Sequence, residues 1–189
     1  MIHFYKPNPK NTGTACSFWH NAKEGAFFGS FIKQDSWNVK TRTGTFNKNK
    51  GNPQKEVIIK FSAAEIAGLI DCVERDAETT GYHQSAKQVV RFNFKKYTRN
   101  GERVGFSWGA NKEATDDAVN KISFIIGFSF AEGALLKEHL KFMLHDSWQK
   151  NAQEYERKQN TNNEQSNQEV GIKTHDLTND LDDSDDFDF

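Results

Sequence analysis

The segment "IIKFSAAEIAGL" at residues 58–69 recurs as "IIGFSFAEGALL" at residues 125–136. Eight of the twelve aligned positions are identical, without a gap, at an offset of 67 residues. A repeat of this kind indicates a duplicated structural unit. In each copy an apolar run leads into Ser-x-x-Glu, the spacing with which a serine and a glutamate satisfy free backbone amides at the start of a helix. Each copy therefore predicts a strand that ends where a helix begins.

Strand candidates lie upstream of both helices. They cover residues 14–20, 25–33, 37–43 and 56–61 in the first half, and residues 88–98, 102–110 and 121–128 in the second. Asn100-Gly101 separates two of these runs and predicts a hairpin with a type I′ turn. The sequence thus predicts an α+β fold, a tandem β-β-β(-β)-α repeat over about 14–80 and 87–149 with antiparallel sheets packed on two helices.

The apolar residues of both helices recur at helical spacing, which predicts one buried stripe on each. The first stripe consists of Ile66, Leu69, Ile70 and Val73, and the second of Leu136, Leu140, Met143, Leu144 and Trp148. The second helix is expected to end at about residue 150.

Composition changes after residue 150. Residues 1–150 are predicted to form one folded domain, residues 151–175 a disordered linker rich in Asn, Gln and Glu, and residues 176–189 an acidic tail. The tail carries seven Asp and no Lys or Arg, so residues 1–175 carry a net charge of +6. A basic body favours a polyanionic partner.

The cysteines and the length of the apolar runs indicate the compartment. Cys16 and Cys72 are too few for a disulfide framework, which favours a reducing cytoplasm. No run approaches the ~20 apolar residues of a membrane span, so no membrane contact is expected.

Cationic and aromatic side chains alternate with apolar ones on the predicted strands. Arg91, Asn93, Lys95 and Tyr97 share one face of the run at residues 88–98. Cations that follow phosphates and rings that stack on bases are what single-stranded nucleic acid requires, although a merely solvated sheet face gives the same pattern. Residues 1–150 are therefore predicted to form a single-stranded nucleic-acid-binding domain. Its predicted nucleic-acid-binding residues are Lys33, Trp37, Lys40, Arg42, Lys48, Lys50, Arg91, Lys95, Tyr97, Arg99, Arg103 and Trp108. Trp37 and Trp108 are equally candidates for the core.

This repeat plan resembles the Whirly and transcriptional-coactivator-four superfamily of single-stranded DNA-binding proteins over about residues 14–149. The Lys-Gly-Lys-Ala-Leu segment of plant Whirly proteins does not occur in the chain. The tip "DDSDDFDF" is similar to the acidic, phenylalanine-terminated tips of bacterial and bacteriophage single-stranded DNA-binding proteins, which bind replication and repair enzymes. That resemblance implies a partner-binding tail formed by Asp182, Asp183, Asp185, Asp186, Phe187, Asp188 and Phe189.

No catalytic constellation emerges from the sequence. Cys16 and His20 have a zinc-ligand spacing, but no second pair completes a tetrahedral site, so neither a metal nor a cofactor is expected. The expected function is that of a non-enzymatic, bacteriophage-type protein in the cytoplasm of a bacterial host. It would coat single-stranded DNA in replication or recombination, recruit enzymes through its tail and form homo-oligomers, with RNA as an alternative ligand. The alternative proteins are an OB-fold single-stranded DNA-binding protein with the same tail and a protein-interaction adaptor.

Overall fold

A computed structural model describes the backbone of residues 1–114 and 121–175, and the side chains within those ranges as far as residue 161. The strands are β1 (Ile2–Lys6), β2 (Thr14–Asn21), β3 (Ala26–Lys33), β4 (Ser36–Asn38), β5 (Thr43–Thr45), β6 (Glu56–Phe61), β7 (Thr79–Gln84), β8 (Gln88–Arg99), β9 (Glu102–Ala114) and β10 (Ile122–Phe128). The helices are α1 (Ala63–Arg75) and α2 (Phe130–His175), and a short 3₁₀ turn spans Asn47–Asn49.

Eight of the described strands form two four-stranded antiparallel sheets, and β4 and β5 form a separate two-stranded sheet. Sheet 1 has the order β1-β2-β3-β6, and sheet 2 has the order β7-β8-β9-β10. A helix follows each sheet in the chain, which confirms the predicted α+β class and its tandem repeat. Two such sheets contradict the OB-fold alternative, which has a single five-stranded barrel.

Each copy of the repeat begins with a strand that the sequence analysis did not identify. β1 starts at Ile2 and β7 at Thr79, so the predicted boundaries of 14–80 and 87–149 are corrected at their starts. β7 reads "TTGYHQ", in which no apolar alternation marks a strand. It forms because β8 offers a partner edge, with Thr79 opposite Phe94 and Gln84 opposite Val89.

The repeated Ser-x-x-Glu segments form the predicted helix starts. The Glu65 amide donates to Ser62 Oγ at 3.2 Å, and the Ser62 amide donates to a Glu65 carboxylate oxygen at 2.8 Å. Ser129 and Glu132 make the same pair of bonds at α2, at 3.3 and 2.8 Å. Each such cap typically contributes about 1 kcal/mol to the stability of the protein.

The inner faces of both sheets and the buried stripes of both helices form one core. Trp108 on β9 is fully buried, and its ring centroid lies 3.8 Å from that of Phe31 and 4.5 Å from that of Phe18. Gly29 on β3 leaves the space for this contact, since a Cβ there would lie 2.7 Å from both the Trp108 and the Phe61 rings. Trp108 and Gly29 therefore join sheet 2 to sheet 1.

The predicted helix stripes are mostly confirmed. Ile66, Leu69 and Ile70 on α1 and Leu136, Leu140, Met143 and Leu144 on α2 are buried. Val73 is half-buried against the core, and Trp148, predicted on the buried stripe, is 59% exposed. His139 also ties α2 to sheet 1, because its Nε2 lies 3.2 Å from the Phe18 carbonyl oxygen.

Residues 37–43 do not form the continuous strand that alternation predicts. The chain turns between β4 and β5, where the Asn38 side chain accepts hydrogen bonds from the amides of Lys40 (2.9 Å) and Thr41 (3.2 Å). Such an Asx turn competes with strand pairing. Arg42 has a φ of 55°, so its backbone is left-handed rather than extended.

The chain divides into two units, residues 1–147 and 148–189. Helix α2 continues through residues 151–175, where the sequence analysis predicts a disordered linker. The side chains of residues 151–161 are all exposed, so local propensity favours this helix, since Ala, Gln, Glu, Lys and Arg are good helix formers. Within the described ranges, neither helix combines the length and apolar character needed to span a membrane. The predicted tail, residues 176–189, lies outside the described residues.

Gly29→Ala should lower the free energy of unfolding by about 1–3 kcal/mol, because the new methyl group would overpack the contact with Trp108 and Phe61. Ser30→Ala is the matched control, since Ser30 is the next residue on the opposite face of β3 and should change stability by no more than about 0.5 kcal/mol. Urea unfolding followed by tryptophan fluorescence measures both variants. Equal midpoints for Gly29→Ala and Ser30→Ala would contradict this role of Gly29.

Candidate nucleic-acid interface

The face of sheet 2 that points away from the core carries an open groove of about 790 Å³. The groove crosses all four strands of the sheet, and we call it the sheet 2 groove. Side chains from every strand line it, among them Tyr82, Arg91, Asn93, Lys95, Asn111 and Ile125. These residues come from positions between 82 and 125, so the fold brings them together from one half of the chain.

Small residues on the central strand β9 shape the sheet 2 groove. Ser107 lies opposite Lys95, and Gly109 lies between Asn93 on β8 and Ile125 on β10. Directly opposite side chains on one face of a sheet are neighbours, so larger residues on β8 and β10 rise on either side of a low floor. A Cβ at Gly109 would lie 2.8 Å from Asn93 Oδ1, which shows that the Asn93 side chain leans over the glycine.

Among the described residues, Arg91 and Lys95 are the two cations that line the sheet 2 groove. Arg91 Nη1 donates to Glu113 Oε2 at 3.1 Å, and its guanidinium lies 5.2 Å from the centroid of the Tyr82 ring. Tyr82 is 53% exposed, so part of its surface beside Arg91 is open to solvent. Lys95 is exposed and makes no ion pair with any residue in the described ranges.

Tyr97 lies beyond Lys95 on the same face of β8. Its side chain is 38% exposed, and its ring lies close to β10, since a Cβ at Gly127 would be 3.3 Å from it. The pairing register shifts between Tyr97 and Thr98, where Gly105 on the partner strand has a φ of 147°. The ring therefore lies over Gly127 on the sheet surface and remains partly open to solvent.

The predicted hairpin after β8 is confirmed, with φ values of 52° at Asn100 and 83° at Gly101. Arg99 forms the last pair of this hairpin, opposite Glu102. Arg103 does not line the groove. Its Nη1 donates at 2.7 Å to Oδ2 of Asp76, which is the C-cap of α1.

Arg103 also lies over two aromatic rings, with its guanidinium 5.1 Å from the centroid of Phe106 and 5.2 Å from that of Phe130. Phe106 is buried and Phe130 opens α2, so these contacts place Arg103 on the helix side of sheet 2. The prediction that Arg103 belongs to the binding face is corrected.

The two tryptophans among the predicted residues do not line the groove either. Trp108 is buried in the core because alternation on β9 directs Ser107 and Gly109 outward and Trp108 inward, so its predicted contact with nucleic acid is wrong. Trp37 is half-buried on β4, where it lies opposite Gly44.

The predicted cations of the first half lie on other surfaces. Lys40 and Arg42 occupy the turn between β4 and β5, and the Lys48 amide donates to Asp35 Oδ2 at 2.9 Å. Lys50 lines a separate groove of about 350 Å³ on the outer face of sheet 1. That groove is also lined by Tyr5, Trp19, Ser30, Ile32 and Ile58. The structure therefore divides the predicted set between two sheet faces and a turn.

Lys33 lies nearer to the sheet 2 groove than these cations. It lines a smaller hollow of about 250 Å³ with Ser123 and Ile125, and both of these residues also line the sheet 2 groove. The ammonium group lies 5.2 Å from the centroid of the Phe124 ring. Burial, and secondarily the charge of Lys55, lowers the pKa of Lys33 below its ordinary value. Lys33 therefore extends the cationic surface beyond the β10 edge.

Several groove residues were missed by the sequence analysis, namely Tyr82, Asn111, Ser123 and Ile125. The internal repeat contains a signal for the last of these. Ile58 and Ile125 are equivalent in the repeat and are 50% and 65% exposed, whereas the next residues, Ile59 and Ile126, are buried. The paired isoleucines thus mark the outer and inner faces of the fourth strand of each sheet.

The alternative zinc site at Cys16 and His20 finds no support in the geometry. Cys16 is 1% exposed, and burial raises the pKa of its thiol. His20 Nδ1 lies 3.1 Å from Asp146 Oδ2, and its ring stacks on Phe27. In the described part of the chain, no group of three or more His, Cys, Asp or Glu side chains is placed to hold a metal ion.

Comparison with known proteins finds similarity in structure but not in sequence. No family model and no curated protein matches the chain. Three solved structures share its architecture. WHY1 from Arabidopsis thaliana is 14% identical with a TM-score of 0.50, over 76% of this chain and 81% of that one. WHY3 from Arabidopsis thaliana is 12% identical with a TM-score of 0.50, over 76% and 86%. The plant transcriptional regulator PBF-2 is 12% identical with a TM-score of 0.54, over 82% and 86%. The chain therefore has a Whirly-like fold.

Proposed function

We propose that this chain is a non-enzymatic protein that binds single-stranded nucleic acid along the sheet 2 groove. The observation that carries the proposal is the open groove itself, which crosses four strands and combines the cations Arg91 and Lys95 with the exposed ring of Tyr82. Tyr97, also partly exposed, lies on the same face. The Whirly-like fold supports the proposal, because that resemblance implies strands that present the nucleic-acid surface.

The chemistry of the groove favours single strands over duplex. Base stacking on an aromatic ring contributes about 1–3 kcal/mol per base, and it needs a base whose face is free. In a duplex the base faces are stacked on each other, so Tyr82 and Tyr97 would offer little to it. Cations add a sequence-independent attraction to the phosphates of either form.

The biological role that we propose is the one that the sequence indicates. The protein would coat transient single strands during replication or recombination, in the cytoplasm of a bacterial host if it is encoded by a bacteriophage. Its acidic tip, ending in Phe187, Asp188 and Phe189, would recruit partner enzymes. The support for this role is the charge difference between residues 1–175 and the tip, together with the resemblance of "DDSDDFDF" to known partner-binding tips.

A protein-interaction adaptor is the second candidate function. It is favoured by Ile58 and Ile125, which are large, apolar and exposed on the outer faces of the edge strands β6 and β10. An adaptor would bind a protein through these faces and would leave oligonucleotides free. Titration with oligo(dT) therefore separates the two candidates directly.

The affinity for oligo(dT) should exceed that for duplex DNA and should fall steeply as salt rises. Each phosphate contact with a single strand contributes a slope of about -0.7 to the plot of log affinity against log salt concentration. Quenching of protein fluorescence at a series of salt concentrations measures the affinity and the slope. The same series with oligo(U) compares RNA. Binding without salt dependence would remove the cations of sheet 2 from the proposal, and no binding would favour the adaptor.

Arg91→Ala combined with Lys95→Ala should weaken oligo(dT) binding and make the salt slope shallower by about 1.4, since each lost phosphate contact removes about 0.7. The matched control is Lys40→Ala combined with Arg42→Ala, which removes two cations from the turn between β4 and β5. That control should bind with a slope close to that of the unmodified protein. Thermal unfolding checks that each double variant remains folded. Equal losses from both double variants would show that net charge, rather than the sheet 2 groove, determines binding.

Deletion of residues 176–189 should tighten oligo(dT) binding, most visibly at low salt, because it removes seven aspartates tethered to a basic protein. Deletion of Phe189 alone should leave oligo(dT) affinity nearly unchanged while it reduces binding of partner enzymes, since it removes an aromatic anchor and no aspartate. Titrations with oligo(dT) and pull-downs of purified host replication proteins measure the two effects. Full retention of every partner by the Phe189 deletion would show that the tip serves only as a charged segment.

A further inference from the structure

Glu113 at the end of β9 lies between two cations of sheet 2. One carboxylate oxygen accepts from Arg91 Nη1 at 3.1 Å, and the other lies 2.7 Å from Lys121 Nζ. The Glu113 side chain is 20% exposed, whereas those of Arg91 and Lys121 are each 51% exposed. A single carboxylate thus holds two cations that remain accessible to solvent.

These three side chains lie on the same face as the sheet 2 groove, at one end of it. Arg91, Asn111 and Ser123 form one row across β8, β9 and β10 and line the groove. Glu113 is two positions after Asn111 on β9 and so shares its face, and Lys121, which immediately precedes β10, lies with its Nζ 2.7 Å from the Glu113 carboxylate. The two cations therefore continue the path of a strand that leaves the groove.

The two cations that hold the Glu113 carboxylate can also bind a different anion in its place. Hydrogen bonds from Lys121 and then Arg91 hold the pKa of Glu113 below its usual range, so its carboxylate is ionised near neutral pH. A phosphodiester also presents two anionic oxygens on one atom, and guanidinium and ammonium groups donate to phosphate as readily as to carboxylate. The donors that bind Glu113 are thus suited to a backbone phosphate.

We infer that Arg91 and Lys121 form a binding site for one backbone phosphate of a single strand, and that Glu113 occupies this site in the free protein. The inference rests on the proposed function, and it adds Lys121 to the groove and assigns Glu113 as a competitor. Exposed ion pairs contribute little to stability, so a phosphate can displace the carboxylate at small cost. Glu113 would then lower the affinity for polyanions in general and favour ligands that also stack on Tyr82.

Glu74 offers a closely matched control. It also holds two cations, with its carboxylate 2.5 Å from Lys141 and 3.7 Å from Lys137. These residues join α1 to α2, and none of them lines the sheet 2 groove. Glu74→Gln therefore makes the same change in net charge and removes a carboxylate from two cations at a different place, although Lys137 keeps Glu138 at 3.3 Å.

The experiment compares the full chain with its Glu113→Gln, Glu74→Gln, Lys121→Ala and combined Glu113→Gln/Lys121→Ala variants. Fluorescein-labelled oligo(dT) is the probe, and anisotropy is measured over a series of salt concentrations. Glu113→Gln should tighten binding by about twofold to tenfold at low salt. It should leave the salt slope close to that of the unmodified protein, because the cations contact the same phosphate in both complexes. Glu74→Gln should change neither quantity appreciably, and Lys121→Ala should remove the tighter binding in the combined variant.

The outcomes separate this inference from the proposed function. If the unmodified protein binds oligo(dT) but Glu113→Gln binds no tighter than Glu74→Gln, the phosphate site is wrong and the proposed function stands. If no variant binds oligo(dT), the proposed function fails and the inference fails with it. If Glu113→Gln does not fold, the salt slope of Lys121→Ala tests the phosphate site by itself. A slope shallower by about 0.7 supports the site, and an unchanged slope overturns it.

Discussion

The contact between Trp108 and Gly29 fixes the rest of the structure. The indole fills the space that a Cβ at Gly29 would occupy, and it packs on the rings of Phe18 and Phe31. Because side chains alternate along a strand, an inward Trp108 requires its neighbours Ser107 and Gly109 to face outward, and a slip by one residue would reverse every side chain of β9. The floor of the sheet 2 groove is therefore set from inside, by the packing of one sheet against the other.

The sequence predicts those parts of the fold that depend on local chemistry. The capping boxes at Ser62 and Ser129, the hairpin turn at Asn100-Gly101 and the apolar strands all follow from residue type and spacing. The partition of the tryptophans does not, because Trp108 and Trp37 both alternate with polar residues. Only the facing sheet, with its glycine, selects Trp108 for the core. β7 was missed for the same reason, since its pairing with β8 is a tertiary contact.

For the candidate site, too, the sequence predicts what depends on local alternation and misses what depends on tertiary contacts. Alternation on β8 places Arg91, Lys95 and Tyr97 on one face, as the structure shows. It gives no information about partners that are distant in the chain, so it does not reveal that Asp76 holds Arg103 on the helix side or that Lys121 shares a carboxylate with Arg91. Composition therefore gives the number of cations in the chain, but it does not show which of them lack an ion-pair partner and can bind a ligand.

The net charge of the chain and the unpaired charge in the sheet 2 groove differ, and this difference affects the proposed preference for single strands over duplex. Of the two cations that line the sheet 2 groove, Arg91 has Glu113 as its partner, and Lys95 has no ion pair within the described ranges. The groove is therefore less positive than the net charge of +6 over residues 1–175 suggests. On the proposed function, a weakly charged groove would attract any polyanion only weakly, so a larger share of the binding energy would come from stacking on Tyr82 and Tyr97. Since stacking requires unpaired bases, a modest positive charge would then increase the preference for single strands over duplex.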